Sequence, residues 1–132
     1  LITGLTRDSD WKSLVRATVE SVAYQSYDLF YSMNKDGLKP KVIKIDGGMV
    51  ANNWFAQFLS DVINLKVIRP KNLETTALGA AFLAGYQIGE FKSLNQIKNI
   101  CKKGKVFSPK MNKSFRNHIL QGWQQAIKKT LA

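Results

Sequence analysis

The sequence predicts an α/β fold with parallel strand pairing, and three observations carry that expectation. A short β-branched run, Lys41-Val42-Ile43-Lys44-Ile45-Asp46, stands between two segments whose apolar residues recur at helical spacing. A second short run, Val67-Ile68, is followed by another helical segment over residues 75–88. The two strands are therefore joined through a helix, and strands that alternate with helices pair in parallel.

The elements follow in order. Asp8, Ser9 and Asp10 are N-cap candidates ahead of Leu14, Val15, Thr18, Val22, Leu29, Phe30 and Met33, which share one helical stripe. Gly37 and Pro40 end that helix. The strand at 41–46 closes at Gly47-Gly48, and residues 51–64 form a second helix with Trp54, Phe55, Phe58, Leu59 and Val62 facing inward. Pro70 stops the second strand, and the alanine- and glycine-rich helix at 75–88 opens on Thr75 and Thr76 as caps. Beyond Glu90 the pattern changes. Leu94, Ile97 and Cys101 suggest a short helix, Gly104 through Pro109 a loop, and Phe115, Ile119, Trp123, Ala126, Ile127 and Thr130 a last amphipathic helix. The expected organisation is a partial α/β domain over 1–90 and a basic helical tail over 91–132 packing on it.

Two strands are too few to stand alone, since sheets usually hold about four to six. Further strands are expected upstream, and the start at Leu1-Ile2-Thr3-Gly4, without Met, fits a chain that begins inside a longer protein. An uncovered sheet edge and an apolar helix face would invite another chain, so self-association is expected.

Composition narrows the class. With 132 residues, 45% hydrophobic and 22% charged, the chain is one domain or a large piece of one, soluble and globular. No apolar run approaches the roughly 20 residues that span a bilayer, and no signal-peptide pattern opens the sequence. The single cysteine, Cys101, rules out an internal disulfide framework and fits a reducing cytoplasm. The net charge of +11 is unevenly spread: residues 91–132 hold ten Lys/Arg and no acid, whereas residues 1–90 are nearly balanced. Such a tail can attract nucleic acid or another anionic partner. Sixteen of the twenty cations are Lys, however, where bidentate phosphate recognition favours Arg, so a solvated helix face is the simpler reading and no specific nucleic-acid binding is expected.

The residues that carry chemistry begin at Ile45-Asp46-Gly47-Gly48-Met49-Val50-Ala51-Asn52-Asn53, two glycines where a strand ends and a helix begins. In open α/β sheets ligands sit beyond the carboxyl ends of strands. Glycine there admits a flat group or a phosphate to the backbone, the new helix offers N–H groups to anions, and Asn52 can bond a base or a ribose. By itself a Gly-Gly pair is as well explained by a tight turn. A second constellation, Arg69-Pro70 and then Glu74-Thr75-Thr76-Ala77-Leu78-Gly79-Ala80-Ala81, reads as a thin packing helix more than as a ligand site. Asp46 is not expected to act as a base, because no second carboxylate, histidine or metal-ligand cluster neighbours it, and its ordinary task is to orient the glycine turn. His118, without a Cys or Asp at ligand spacing, reads as a surface residue.

Taken together, these motifs resemble the FGGY carbohydrate kinases, and within them the glycerol kinases. Gly4-Leu5-Thr6-Arg7 with Arg16-Ala17-Thr18-Val19-Glu20-Ser21-Val22-Ala23-Tyr24-Gln25 is similar to the family's C-terminal signature. Asp46 through Asn53 is similar to its adenine-nucleotide loop, Glu74 through Gly85 to the helix after it, and Gly122-Trp123-Gln124-Gln125-Ala126-Ile127 to its tail. The departure is Ser13, where the family prefers histidine or another polar residue. The resemblance implies an actin-like ATPase fold, with residues 1–90 as the nucleotide side of its C-terminal domain. It implies Mg·ATP as phosphoryl donor, glycerol as acceptor, and nucleotide contacts from Gly47, Gly48 and Asn52. The family's catalytic base, its glycerol site and most of its Mg²⁺ contacts have no match here, so neither catalytic nor metal-binding residues are assigned and the chain alone is expected to be inactive. Its missing N-terminal portion would be the natural partner. The rival expectation is a non-enzymatic binding module that uses the basic tail.

Overall fold

The computed structural model describes residues 1–101 and 104–131. Helix α1, Trp11–Lys35, starts at Asp10, whose carboxylate accepts hydrogen bonds from the Ser13 backbone N–H and hydroxyl, each at 2.8 Å. The position where the sequence departs from the family signature is thus half of a working cap. The helix lies against α2, and Val19, Val22, Tyr27 and Phe30 pack on the core around Ala23, which is fully buried. The stripe inferred from spacing is rotated relative to this face: Leu14, Val15 and Leu29 are exposed.

Strand β1 is Val42–Lys44 and β2 is Lys66–Arg69, paired in parallel with Ile43 opposite Val67. Between them a 3₁₀ turn, Gly48–Ala51, leads into α2, Asn53–Ile63. Helix α2 is the hub. Phe55, Ala56, Phe58, Leu59, Val62 and Ile63 are all buried, and each large one contributes about 1.5–3 kcal/mol by leaving water. Trp54, expected on the inner face, is 42% exposed and stacks flat on Phe58 at 5.0 Å. Helix α3, Thr75–Gln87, follows β2.

Helix α4, Leu94–Ile100, opens on a Ser93 cap, and α5, Lys113–Leu131, closes the described chain. Between them the expected loop is instead a third strand, β3, Lys105–Phe107, antiparallel to β2 with Val67 opposite Phe107. The sheet order is β1-β2-β3, so β2 is central. A non-local contact explains the strand. The Ser60 hydroxyl on α2 donates to the carbonyls of Leu65 and Phe107, and Gly104 crosses so close to Arg69 that a Cβ there would lie 2.7 Å from the Pro70 Cα. Only glycine admits that approach.

Polar ties hold the tail to the hub. Buried Asp61 accepts the backbone N–H groups of Lys110 and Met111 at 2.6 and 3.2 Å, and Arg116 donates to the Asn64 side chain. Farther along, the Trp123 indole N–H reaches Asp28 at 2.7 Å while its ring stacks on Tyr24. His118 is exposed. No helix among the described residues is long and apolar enough to cross a membrane.

Candidate functional site

The parallel pairing of β1 and β2 brings their carboxyl ends, and the loops that follow, to one edge of the sheet. The ladder runs one step past β1, with Ile45 N–H donating to the Ile68 carbonyl. Gly47 then turns the chain at φ 92°, a conformation that disfavours any residue with a Cβ. Gly48 opens the 3₁₀ turn without positive φ. A Cβ on either glycine would meet nothing within 4 Å. The two therefore differ in kind: Gly47 is required by the backbone, whereas Gly48 leaves an approach to the backbone that none of the described residues fills.

Asn52 is the N-cap of α2, and its side-chain oxygen accepts the N–H groups of Trp54 and Phe55 at 2.9 and 3.4 Å. Two amide groups of this helix start are thereby satisfied from within, which removes them from the anion-binding role anticipated for them. What Asn52 has left is its amide NH₂, a donor. It lines a shallow cavity of about 360 Å³ with Trp11, Lys12, Arg16 and Trp54, where the Arg16 guanidinium lies 5.5 Å from the centre of the Trp54 ring.

Across the sheet edge Thr75, the first residue of α3, donates its hydroxyl to the Asp46 carboxylate. Two expectations change here. Asp46 is tied to the next loop and not to the glycine turn, and Thr75 bridges the two loops while Glu74 occupies the cap position. Beside this bridge Thr75, Leu73, Leu78, Phe82 and Ile100 line a second, largely apolar cavity of about 630 Å³.

Arg69, at the end of β2, closes the arrangement. Its Nη1 donates to the carbonyls of Val50 and Ala51 at 2.7 and 2.8 Å, and its Nη2 donates to Asn53 Oδ1 at 2.9 Å. Lys105 of β3 reaches the same Asn53 oxygen at 3.3 Å. Spacing within the sequence does not reveal this cluster. The one available signal was an arginine at a strand end in a chain whose cations are mostly lysine.

This geometry, a glycine turn beyond a parallel strand pair with a capped helix behind it, coincides with a family match. The C-terminal domain of the FGGY family of carbohydrate kinases matches residues 1–88. The chain belongs to this family. The glycerol kinase of Gluconobacter oxydans (strain 621H) is 50% identical over 132 residues, which is 99% of this chain and 26% of that protein. Among solved structures, the crystal structure of Plasmodium falciparum glycerol kinase with ADP is 35% identical at a TM-score of 0.85, over 98% of this chain and 26% of that one. Ligand-bound xylulose kinase from Lactobacillus acidophilus is 25% identical at a TM-score of 0.76, over 97% of this chain and 26% of that chain. This FGGY chain thus spans about a quarter of the length of the relatives it matches. The likeness to glycerol kinase runs past residue 88 and through the tail.

Among the described residues no three or more His, Cys, Asp or Glu side chains converge, and the carboxylate at the glycine turn, Asp46, is bonded to Thr75.

Proposed function

We propose that this chain is the nucleotide-side, C-terminal portion of a glycerol kinase, an enzyme that transfers the γ-phosphoryl group of ATP to glycerol. The observation that carries the proposal is the open Gly48 backbone at the carboxyl end of β1. It lies within a chain that is 35% identical to a glycerol kinase crystallised with ADP. In this reading Gly47 sets the turn, Gly48 admits the adenosine moiety, and the Asn52 amide donates to an acceptor on the base or ribose. Gly47 needs no ligand contact of its own. Mg²⁺, the catalytic base and the glycerol site belong to the three-quarters of the enzyme outside this chain. Residues 1–90 form the nucleotide side, and residues 91–132 brace it.

Phosphoryl transfer is mainly positioning and charge stabilisation, so a chain that holds one wall of the site does not turn over by itself. A coupled assay with Mg·ATP and glycerol is expected to show no rate that scales with protein. The working enzyme would act in the cytoplasm, with the N-terminal portion of the kinase as first partner and self-association through the uncovered edge of β1.

The decisive experiment joins this chain to the N-terminal portion of a glycerol kinase. Gly48→Val projects a side chain into space that none of the described residues occupies, so its effect falls on the ligand and not on packing. KM for ATP is expected to rise most in Gly48→Val, and by about two- to tenfold in Asn52→Ala, the worth of one polar contact. KM for glycerol is expected to stay near its starting value. An unmoved ATP affinity in Gly48→Val, or a fall in glycerol affinity instead, would reduce the loop to a structural turn.

A further inference from the structure

We infer that Arg69 is the positioning residue of the nucleotide turn, acting on the backbone behind Gly48 without touching the ligand. The inference rests on the reading of Gly47-Gly48 as a nucleotide site and deepens it.

The 3₁₀ turn Gly48–Ala51 is four residues long, and its i to i+3 hydrogen bonds have poorer geometry than those of an α-helix. Asn52 N–H donates to the Met49 carbonyl at 3.2 Å and closes a segment opened by two glycines. Nucleotide recognition by backbone approach needs that segment held to within a fraction of an ångström. The carbonyls of Val50 and Ala51 are both collected by one guanidinium, which also reaches Asn53 at the start of α2. A planar fork satisfies several acceptors with one side chain, which an ammonium cannot do at fixed geometry.

The fork is itself held. Arg69 ends the central strand, its guanidinium carbon lies 5.4 Å from the centre of the buried Phe107 ring, and Phe107 belongs to β3. No carboxylate among the described residues forms an ion pair with it. Its charge is spent on backbone carbonyls, an arrangement that serves loop geometry more directly than it serves stability. The tail strand β3 is thus connected to the nucleotide turn through Phe107, Arg69 and the Val50 and Ala51 carbonyls.

Two measurements test this. In the chain itself, amide hydrogen exchange compares wild type with Arg69→Met and Arg69→Lys. Exchange at Met49–Asn52 is expected to be about tenfold faster in Arg69→Met and intermediate in Arg69→Lys, with Phe58–Ile63 unchanged. In the chain joined to the N-terminal portion of a glycerol kinase, Arg69→Met is expected to raise KM for ATP about fivefold, leave KM for glycerol in place, and be partly rescued by Arg69→Lys. Should Arg69→Met fail to fold, Arg69→Lys keeps stem and charge but loses the fork, and wild-type turn exchange with wild-type KM in that variant overturns the inference. Gly48→Val, run in parallel, separates the two readings. If Gly48→Val raises KM for ATP and Arg69→Met does not, the positioning role alone falls. If neither variant moves it, the nucleotide reading falls as well.

Discussion

Helices α2 and α3 are both apolar and similar in length, yet they occupy opposite environments. Eight of the 11 residues of α2 are buried, and none of the 13 residues of α3. On α3, Ala77, Ala80, Ala81, Leu83 and Ala84 stand exposed, while Phe82 meets Phe91 edge to face at 5.7 Å. Apolar content therefore does not decide which helix builds a core. Position in the sheet does: α2 crosses between β1 and β2 and is roofed by α1 and the tail, whereas α3 leaves the sheet after β2 and meets no such roof among the described residues. The FGGY relatives that this chain matches are about four times as long as it is.

The largest expected effect breaks the hub. Phe55→Ala should lower stability by about 3–5 kcal/mol, because it empties a site that is 3% exposed. Leu83→Ala, at 63% exposure, should change stability by no more than about 0.5 kcal/mol. Urea unfolding of both variants measures the contrast. When the N-terminal portion of the kinase is supplied, the ranking is expected to narrow, with α3 amides gaining exchange protection and Leu83→Ala becoming costly. An equally small penalty for Leu83→Ala in the joined protein would show that α3 faces solvent there too.

The same contrast explains what was legible in the sequence. Local signals did their work where the structure is local: the order of α1, β1, α2, β2 and α3, the Asp10 cap, and the Gly47-Gly48 turn all follow from neighbours a few residues apart. Long-range relations were hidden. Strand β3 is three residues of weak alternation, made a strand by Val67 opposite and by the Ser60 hydroxyl 47 residues before Phe107. Thr75 looked like a cap because its partner, Asp46, lies 29 residues upstream. The chemistry of Arg69 depends on two carbonyls freed by a 3₁₀ turn that no spacing rule announces. For Asn52 the position was legible, and the division of labour between its oxygen and its amide was not.

A middle-sized effect sharpens the difference between fold and site within five residues. Asn52→Ala removes a helix cap and should cost about 1 kcal/mol of stability in addition to any nucleotide contact. Gly47→Ala places a Cβ at φ 92° and should cost about 1–2 kcal/mol without touching a ligand. Gly48→Ala should leave stability within about 0.5 kcal/mol, since its backbone is unstrained and its surroundings are open. Thermal unfolding of the three variants checks the order. A Gly48→Ala as damaging as Gly47→Ala would mean that the open face is a part of the fold.

The smallest effect concerns the contact between the tail and α1, part of the cover that α2 has and α3 lacks among the described residues. Tyr24 stacks on Trp123 and lies 5.7 Å from Phe58, and burial pushes its hydroxyl pKa well above 10, with the nearby Glu20 carboxylate adding to the rise. The Tyr24 hydroxyl donates to Glu20 at 3.2 Å, so its neutral form is the one the fold accommodates. In the unfolded chain the same hydroxyl ionises near pH 10. A group whose pKa is raised by folding contributes stability that is fully present below the unfolded value and is lost as pH climbs towards the folded one. Tyr27 shifts in the same direction through burial, so the loss is shared between two tyrosines. The urea midpoint of the wild type is expected to fall between about pH 8 and about pH 11, and to fall less in Tyr24→Phe, which keeps the ring and its stacking. Because the two proteins differ only in that oxygen, the difference between the two curves isolates the hydroxyl. Parallel curves would show that the tail meets α1 through ring packing alone, with no contribution from the protonated oxygen.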